Sequence, residues 1–319
     1  MAPTRTALES RALGCLLGSA VGDAVGTTLE FSRRDSYPPL TDMIGGGPFQ
    51  LEPGQWTDDT ALAIALGESL CARGGLDLRD LMERFVAWYR EGRYSCTGTC
   101  FDIGTTTRQA LQRFMATGDP EAGSRSAWSA GNGSLMRLAP VPVFHHDDRV
   151  AGVEAARRQS LATHGATDAV DACGAYAELL ILAINGCPRD EVLARAIPGL
   201  TPAVAGVIGG SWRDKRREQI SSSGYVAHSL EAALWCVARA TDFRDAVLLA
   251  ANLGDDADTV AAIAGQLAGA LWGVEAIPSE WLEKLAWREE IERLGLRLLE
   301  RGQTILDPQG QQSDNSPTY

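Results

Sequence analysis

Two short runs of oxygen-bearing side chains lie far apart in this chain. One is Thr57-Asp58-Asp59-Thr60 in GQWTDDTALAIALGESL, and the other is Asp255-Asp256-Ala257-Asp258-Thr259 in LAANLGDDADTVAAIAGQLAGALWG. Each stands directly before an apolar helical run, so the plainest reading is N-capping, in which a side-chain oxygen satisfies orphan backbone amides and an acid suits the helix dipole. A cap needs only one carboxylate. Several acids at the mouth of one buried helix repel one another unless something positive lies among them. Taken together, the two runs carry enough carboxylate and hydroxyl oxygen for a pair of Mg2+ or Mn2+ ions, which prefer such ligands in near-octahedral geometry. Neither run has a suitable His or Cys beside it, which argues against zinc or copper.

Three further features could bear on chemistry. In SAGNGSLMRLAPV, Gly131, Asn132, Gly133 and Ser134 can present successive amides and a hydroxyl at a helix start, a nest for phosphate. The same residues also read as an ordinary turn, and gain meaning only beside the acidic runs. In YSCTGTCFDIGTTTRQAL, Asp102 lies among Thr, Gly and aromatic residues ahead of another helix, where it is either a cap or a free acid. Arg137 and His164 are either contacts to phosphate, ribose or base, or satisfied structural residues. The seven cysteines are odd in number and scattered through apolar stretches, which fits a reducing compartment. Cys96 and Cys100 lie four apart but lack a second pair, so a zinc site is set aside.

Helices must position these groups. Apolar residues recur at helical spacing through Leu13 to Val21, Leu62 to Leu66, Leu78 to Tyr89, Ala172 to Ala183, Leu230 to Val237 and Val260 to Leu271, and no run alternates as a strand would. About a dozen helices are expected by that spacing. The resulting class is all-α, a compact single-domain multi-helix bundle whose Ala- and Gly-rich segments let helix axes approach closely. One domain is expected over residues 8–305, followed by a loose Gln/Ser/Asp/Pro-rich tail over 306–319. A formal charge of -12 disfavours a nucleic-acid partner, which would need a basic surface. The apolar stretch near the start is interrupted by Gly and Asp, which predicts neither a signal peptide nor a membrane anchor.

In combination, these motifs resemble the ADP-ribosylglycohydrolase family, above all its branch containing the dinitrogenase reductase activating glycohydrolase. The matching segments are GSAVGDAVGTTLEF, QWTDDTA, TGTCFDIGTTTRQAL, GNGSLMRLAPV, LATHGATDA, SSGYVAHSLEAALW and GDDADTVAAIAGQLAGALWG, in the family's order across residues 14–273. The resemblance implies an all-helical fold with two Mg2+ or Mn2+ ions in a cleft. It assigns Thr57, Asp58, Asp59, Asp256, Asp258 and Thr259 to the metals, and places Glu30 beside them. By the same carry-over the Gly131–Ser134 loop holds the diphosphate, His164 borders the nucleotide, Tyr225 stacks on adenine and Asp102 faces an arginine guanidinium. Asp255 departs from the pattern, because the family has a pair of small residues before its Asp-x-Asp-Thr.

The activity so implied is hydrolysis of the bond between ADP-ribose and an arginine side chain of a modified protein, in the cytoplasm, with ADP-ribose as product. Metal-polarised water would attack, while Asp102 or Glu30 manages the proton of the leaving guanidine. Two alternatives accompany it. One is the same hydrolase acting on Ser-, Thr- or O-acyl-linked ADP-ribose, and the other is a catalytically silent ADP-ribose-binding protein.

Overall fold

In the computed structural model, residues 5–305 are described. Fourteen α-helices occur among them. In the first half these are α1 (Ala7–Gly26), α2 (Asp58–Arg73), α3 (Leu78–Glu91), α4 (Thr105–Thr117), α5 (Pro140–Phe144), α6 (Arg149–Leu161) and α7 (Thr167–Ile184). The second half adds α8 (Arg189–Leu193), α9 (Pro202–Ile208), α10 (Val226–Arg239), α11 (Phe243–Ala251), α12 (Ala257–Trp272), α13 (Ser279–Lys284) and α14 (Arg288–Ile305). No strand forms among the described residues, only three isolated bridges, so the all-α expectation holds. The expected tail, 306–319, lies outside the described residues.

Local sequence explains most helix ends. Thr6 and Glu9 form a reciprocal capping box at the start of α1, each accepting the other's backbone amide. Helices α2, α3 and α4 stop at Gly74, Gly92 and Gly118, all left-handed, where a glycine costs least. Apolar faces of these helices merge into one continuous core that includes the fully buried Trp56, Trp88 and Trp281.

At the centre lie α1 and α12, packed antiparallel with their backbones in contact. A Cβ added at Gly14 would stand 2.2 Å from the Gly269 carbonyl oxygen, at Gly18 2.3 Å from that of Gly265, at Gly22 2.1 Å from that of Ala261 and at Gly26 2.4 Å from that of Ala257. Only hydrogen fits at those four positions, so the four-residue spacing of glycine in α1 sets the register against α12. That register brings the C-terminal end of α1 beside the acidic N-terminus of α12.

The expected interruption of the first apolar stretch does not occur. Helix α1 runs unbroken through Gly14, Gly18, Gly22 and Asp23, and Ala7–Leu29 is long and apolar enough to cross a membrane by length and composition. Its glycines do not break the helix, because they are where α12 docks, and 94% of its apolar window is buried inside the fold.

Candidate active site

The two acidic runs meet. Thr57 Oγ1 lies 3.4 Å from Asp258 Oδ2, and Thr259 Oγ1 lies 3.4 Å from Asp59 Oδ1, joining the N-termini of α2 and α12 across about two hundred residues of chain. All six candidate ligands, Thr57, Asp58, Asp59, Asp256, Asp258 and Thr259, belong to this cluster, and all but Thr57 line a cavity of 670 Å3. The same cavity is also lined by Glu30, Asp102, Gly131, Asn132, Gly133 and His164.

Neither run's N-cap residue caps its own helix, although Asp258 Oδ1 accepts the amide of Thr259 at 2.7 Å. Thr57 and Asp256 occupy the N-cap positions of α2 and α12, yet neither makes a side-chain cap bond. Carboxylates from elsewhere do so. Glu30, just past α1, accepts the amides of Ala257 at 2.8 Å and Asp258 at 3.4 Å. Asp23, inside α1, accepts the amides of Thr57 and Thr60. Apart from Asp258, the local capping reading therefore gives way to capping in trans, and Asp58, Asp59, Asp256 and Asp258 lie close enough to raise the cost of one another's charge. Glu30 is buried, 5% exposed.

Crowding of acids raises the cost of ionising them. Burial, then the neighbouring charge of Asp258, pushes Asp256 up to about 7 and Asp102 up to about 11. Burial, again followed by Asp258, pushes Glu30, Asp58 and Asp59 well above the carboxylate range. A cation held by Asp58, Asp59, Asp256 and Asp258 would oppose their shifts by favouring the charged forms. Two observations fit a hard divalent cation. The buried Oδ2 of Asp59 has no hydrogen-bond partner, and oxygens of Glu30, Asp256 and Asp258 lie within 4.8 Å of one another. The donors are carboxylates and hydroxyls, the set that Mg2+ or Mn2+ prefers. Cys96 does not join them, since its thiol packs against the backbone of Trp56.

Asp102 is not a cap either. Helix α4 begins after Gly104, and Asp102 has φ +58°, a left-handed conformation that turns its carboxyl toward Asp258 at the cavity wall. The Gly131–Gly133 loop also lines the cavity. A Cβ at Gly133 would stand 2.7 Å from His164 Cε1, so the imidazole packs directly beneath the loop. Thr163 Oγ1 lies 2.8 Å from His164 Nδ1, and burial, aided by Arg137, pushes the ring down to about 3, which keeps it neutral. Asn132 Nδ2 donates to Asp256 Oδ2 at 2.7 Å and so ties the loop to the acidic cluster.

The loop differs from the expected nest at a helix start. Turns, not a helix, follow it, and the amides of Gly131 and Asn132 donate to the carbonyls of Ser129 and Gly224. Ser134 is fully buried, its hydroxyl 2.8 Å from that of Ser160, and is not on the cavity wall. Arg137 takes the structural role: buried, it donates to the Gly133 carbonyl, to Gln159 Oε1 and to the Gln159 carbonyl. Tyr225 donates its hydroxyl to Asp168 Oδ2 at 2.6 Å and meets His228 edge-on. Its neighbours Ser223 and Gly224 line the cavity. Asp255 has φ +57° and stands at the exposed rim, with Ser222 Oγ 3.4 Å from its carboxylate.

Asp23 was missed in the sequence. It is the one acid in an otherwise uncharged run from Ala12 to Leu29, and a lone carboxylate in so apolar a helix has to find donors. That was the available signal.

Known proteins resemble this chain over most of its length. A family model described as ADP-ribosylglycohydrolase matches residues 4–306. The chain is 48% identical to a protein of Pseudomonas putida (strain GB-1) named ADP-ribosylarginine hydrolase Tri1, over 92% of this chain and 79% of that one. It is 44% identical to a protein of the same name from Serratia proteamaculans (strain 568), over 90% and 78%. It is also 34% identical to the ADP-ribosyl-[dinitrogen reductase] glycohydrolase of Rhodospirillum rubrum, over 91% and 95%. A solved structure titled ADP-ribosylglycohydrolase-related protein complex superposes with a TM-score of 0.84 at 43% identity, covering 92% of this chain and 99% of that chain.

Proposed function

This chain belongs to the ADP-ribosylglycohydrolase family, and from that premise we propose that it hydrolyses the N-glycosidic bond joining ADP-ribose to an arginine side chain of a modified protein. Two relatives with arginine-hydrolase names, at 48% and 44% identity, support that linkage. The observation that carries the reading is the meeting of both Asp/Thr runs with Asp102 in the lining of a single cavity. The intact clusters weigh against a silent binding protein. The seven free cysteines support a reducing, cytoplasmic setting.

Thr57, Asp58, Asp59, Asp256, Asp258 and Thr259 are assigned to two Mg2+ or Mn2+ ions, with Glu30 beside them. Such ions would supply Lewis acidity, which would acidify a water near neutral pH. The chain's own residues do the rest. The loop of Gly131, Asn132 and Gly133 borders the diphosphate, although the amides of Gly131 and Asn132 are given to Ser129 and Gly224, and Ser134 anchors its end in the core. Neutral His164 supports that loop and borders the nucleotide, and Tyr225, pinned by Asp168, offers a face to adenine.

Asp102 handles the proton. Its burial, the largest cause of its raised pKa, favours the protonated form, so it can donate to the guanidine nitrogen as the C–N bond breaks and the bond's electron pair leaves with that nitrogen. Water adds to the ribose carbon, and the proton it sheds restores the Asp102 acid. One water is consumed, giving ADP-ribose and an arginine guanidinium. A carboxyl group is also the natural partner of a guanidinium during binding. Glu30 is occupied by the amides of Ala257 and Asp258, which suits it to positioning more than to proton transfer.

The test is release of ADP-ribose from arginine-linked and serine-linked peptides in Mg2+ or Mn2+. The arginine-linked peptide should be cleaved in preference, and Asp102→Asn should lower kcat about 100- to 10,000-fold. Preference for the serine linkage, or an Asp102→Asn enzyme of near-normal kcat, would contradict the proposal.

A further inference from the structure

Asp23 makes the same two backbone bonds that a capping box would make for α2, but from a different helix. In a capping box the N-cap amide and the N3 amide are satisfied by side chains of the helix itself. Here those amides belong to Thr57 and Thr60, and both donate to the carboxylate of Asp23, at 3.0 Å each. The hydroxyls of the same two threonines donate there too, Thr57 Oγ1 at 3.0 Å and Thr60 Oγ1 at 2.6 Å. Asp23 is fully buried and thus has four donors converging on it.

The consequence for Thr57 is directional. A hydroxyl has one proton and two lone pairs, so a threonine that gives its proton to Asp23 turns its lone pairs away from α1. Asp258 Oδ2 lies on that side, 3.4 Å from Thr57 Oγ1. The same bonds relieve Asp58 and Asp59 of any capping duty, so both carboxylates can point outward from the first turn of α2.

We propose that Asp23, acting through Thr57 and Thr60, is a positioning residue for divalent-cation binding: it fixes the first turn of α2 and orients the Thr57 hydroxyl as an acceptor. This rests on the reading that the acidic cluster holds such cations. Asp23 does not line the cavity, and Thr60 is not among the assigned ligands.

Removing the Asp23 charge would weaken cation binding by simple electrostatics, so a charge-neutral variant is the sharper probe. Thr60→Val has nearly the same shape and deletes only the 2.6 Å hydroxyl bond. Calorimetric titration of the full-length chain with Mn2+, without substrate, should show a Kd raised about 10-fold in Thr60→Val and more in Asp23→Asn, the range expected when a ligand's supporting hydrogen bond is lost. Thr60→Ser, which keeps the hydroxyl, should return Kd close to the wild-type value. Turnover of Thr60→Val should recover when Mn2+ is raised to saturation, because the defect is in binding. Unchanged Mn2+ affinity in a folded Thr60→Val, or an equal loss in Thr60→Ser, would overturn this role alone. A wild-type chain that takes up no Mn2+ would overturn the metal reading and this role with it.

Discussion

A carboxyl group kept from water among other carboxyls holds its proton, and here that sets a dependence on pH. Asp23 and Asp256 are both pushed from the ordinary 3.8 up to about 7, chiefly by burial and next by Asp258. Between those values the native chain holds more protons than the unfolded one, so their contribution to stability falls as pH rises through the window. A divalent cation needs the ionised forms and must displace these protons. Thermal unfolding should therefore show an Mn2+-induced rise in Tm that is larger at pH about 8 than at about 5. A rise independent of pH, or one larger in acid, would contradict the assignment. Much of the site was legible at this scale, because clustered acids are costly wherever they fall. The roles of Asp23 and Glu30 were not. A cap supplied from another helix leaves no local pattern, and Glu30 stood out only through family resemblance. The left-handed turns at Asp102 and Asp255 were also hidden, since aspartate adopts that conformation without announcing it.

Helices were the most legible level, since their apolar spacing persists over several turns, as in α7 and α12. Their partners were less so. Glycine at positions 14, 18, 22 and 26 signals close approach but does not name α12 as the helix that approaches. That pairing matters to the site, because it delivers Asp256 and Asp258 to the end of α1. Replacing a helical glycine by alanine normally gains about 1 kcal/mol of helix propensity. At Gly18 the new Cβ would stand 2.3 Å from a backbone oxygen of α12, so the helices must part. Gly18→Ala should destabilise the protein by about 1–3 kcal/mol and weaken Mn2+ binding together with it. At Gly67 the nearest obstacle is the movable end of Leu294, so Gly67→Ala should be tolerated. Chemical denaturation with parallel Mn2+ titration checks both variants. Equal stability of Gly18→Ala and wild type would show that the α1–α12 contact is looser than its geometry.

For the molecule as a whole, the site exists only in the folded state, because its two halves come from opposite ends of the sequence. Cation binding must then add to folding stability, and chelation must subtract from it. The net charge of -12 pointed in this direction without locating it, since charge says nothing of place. The most direct measurement is anomalous diffraction from crystals grown in excess Mn2+. Two manganese peaks among Asp58, Asp59, Asp256 and Asp258, with Thr57 and Thr259 completing the shell, are predicted. Acidic runs that stand together with no peak between them, or peaks only elsewhere in the molecule, would contradict the account.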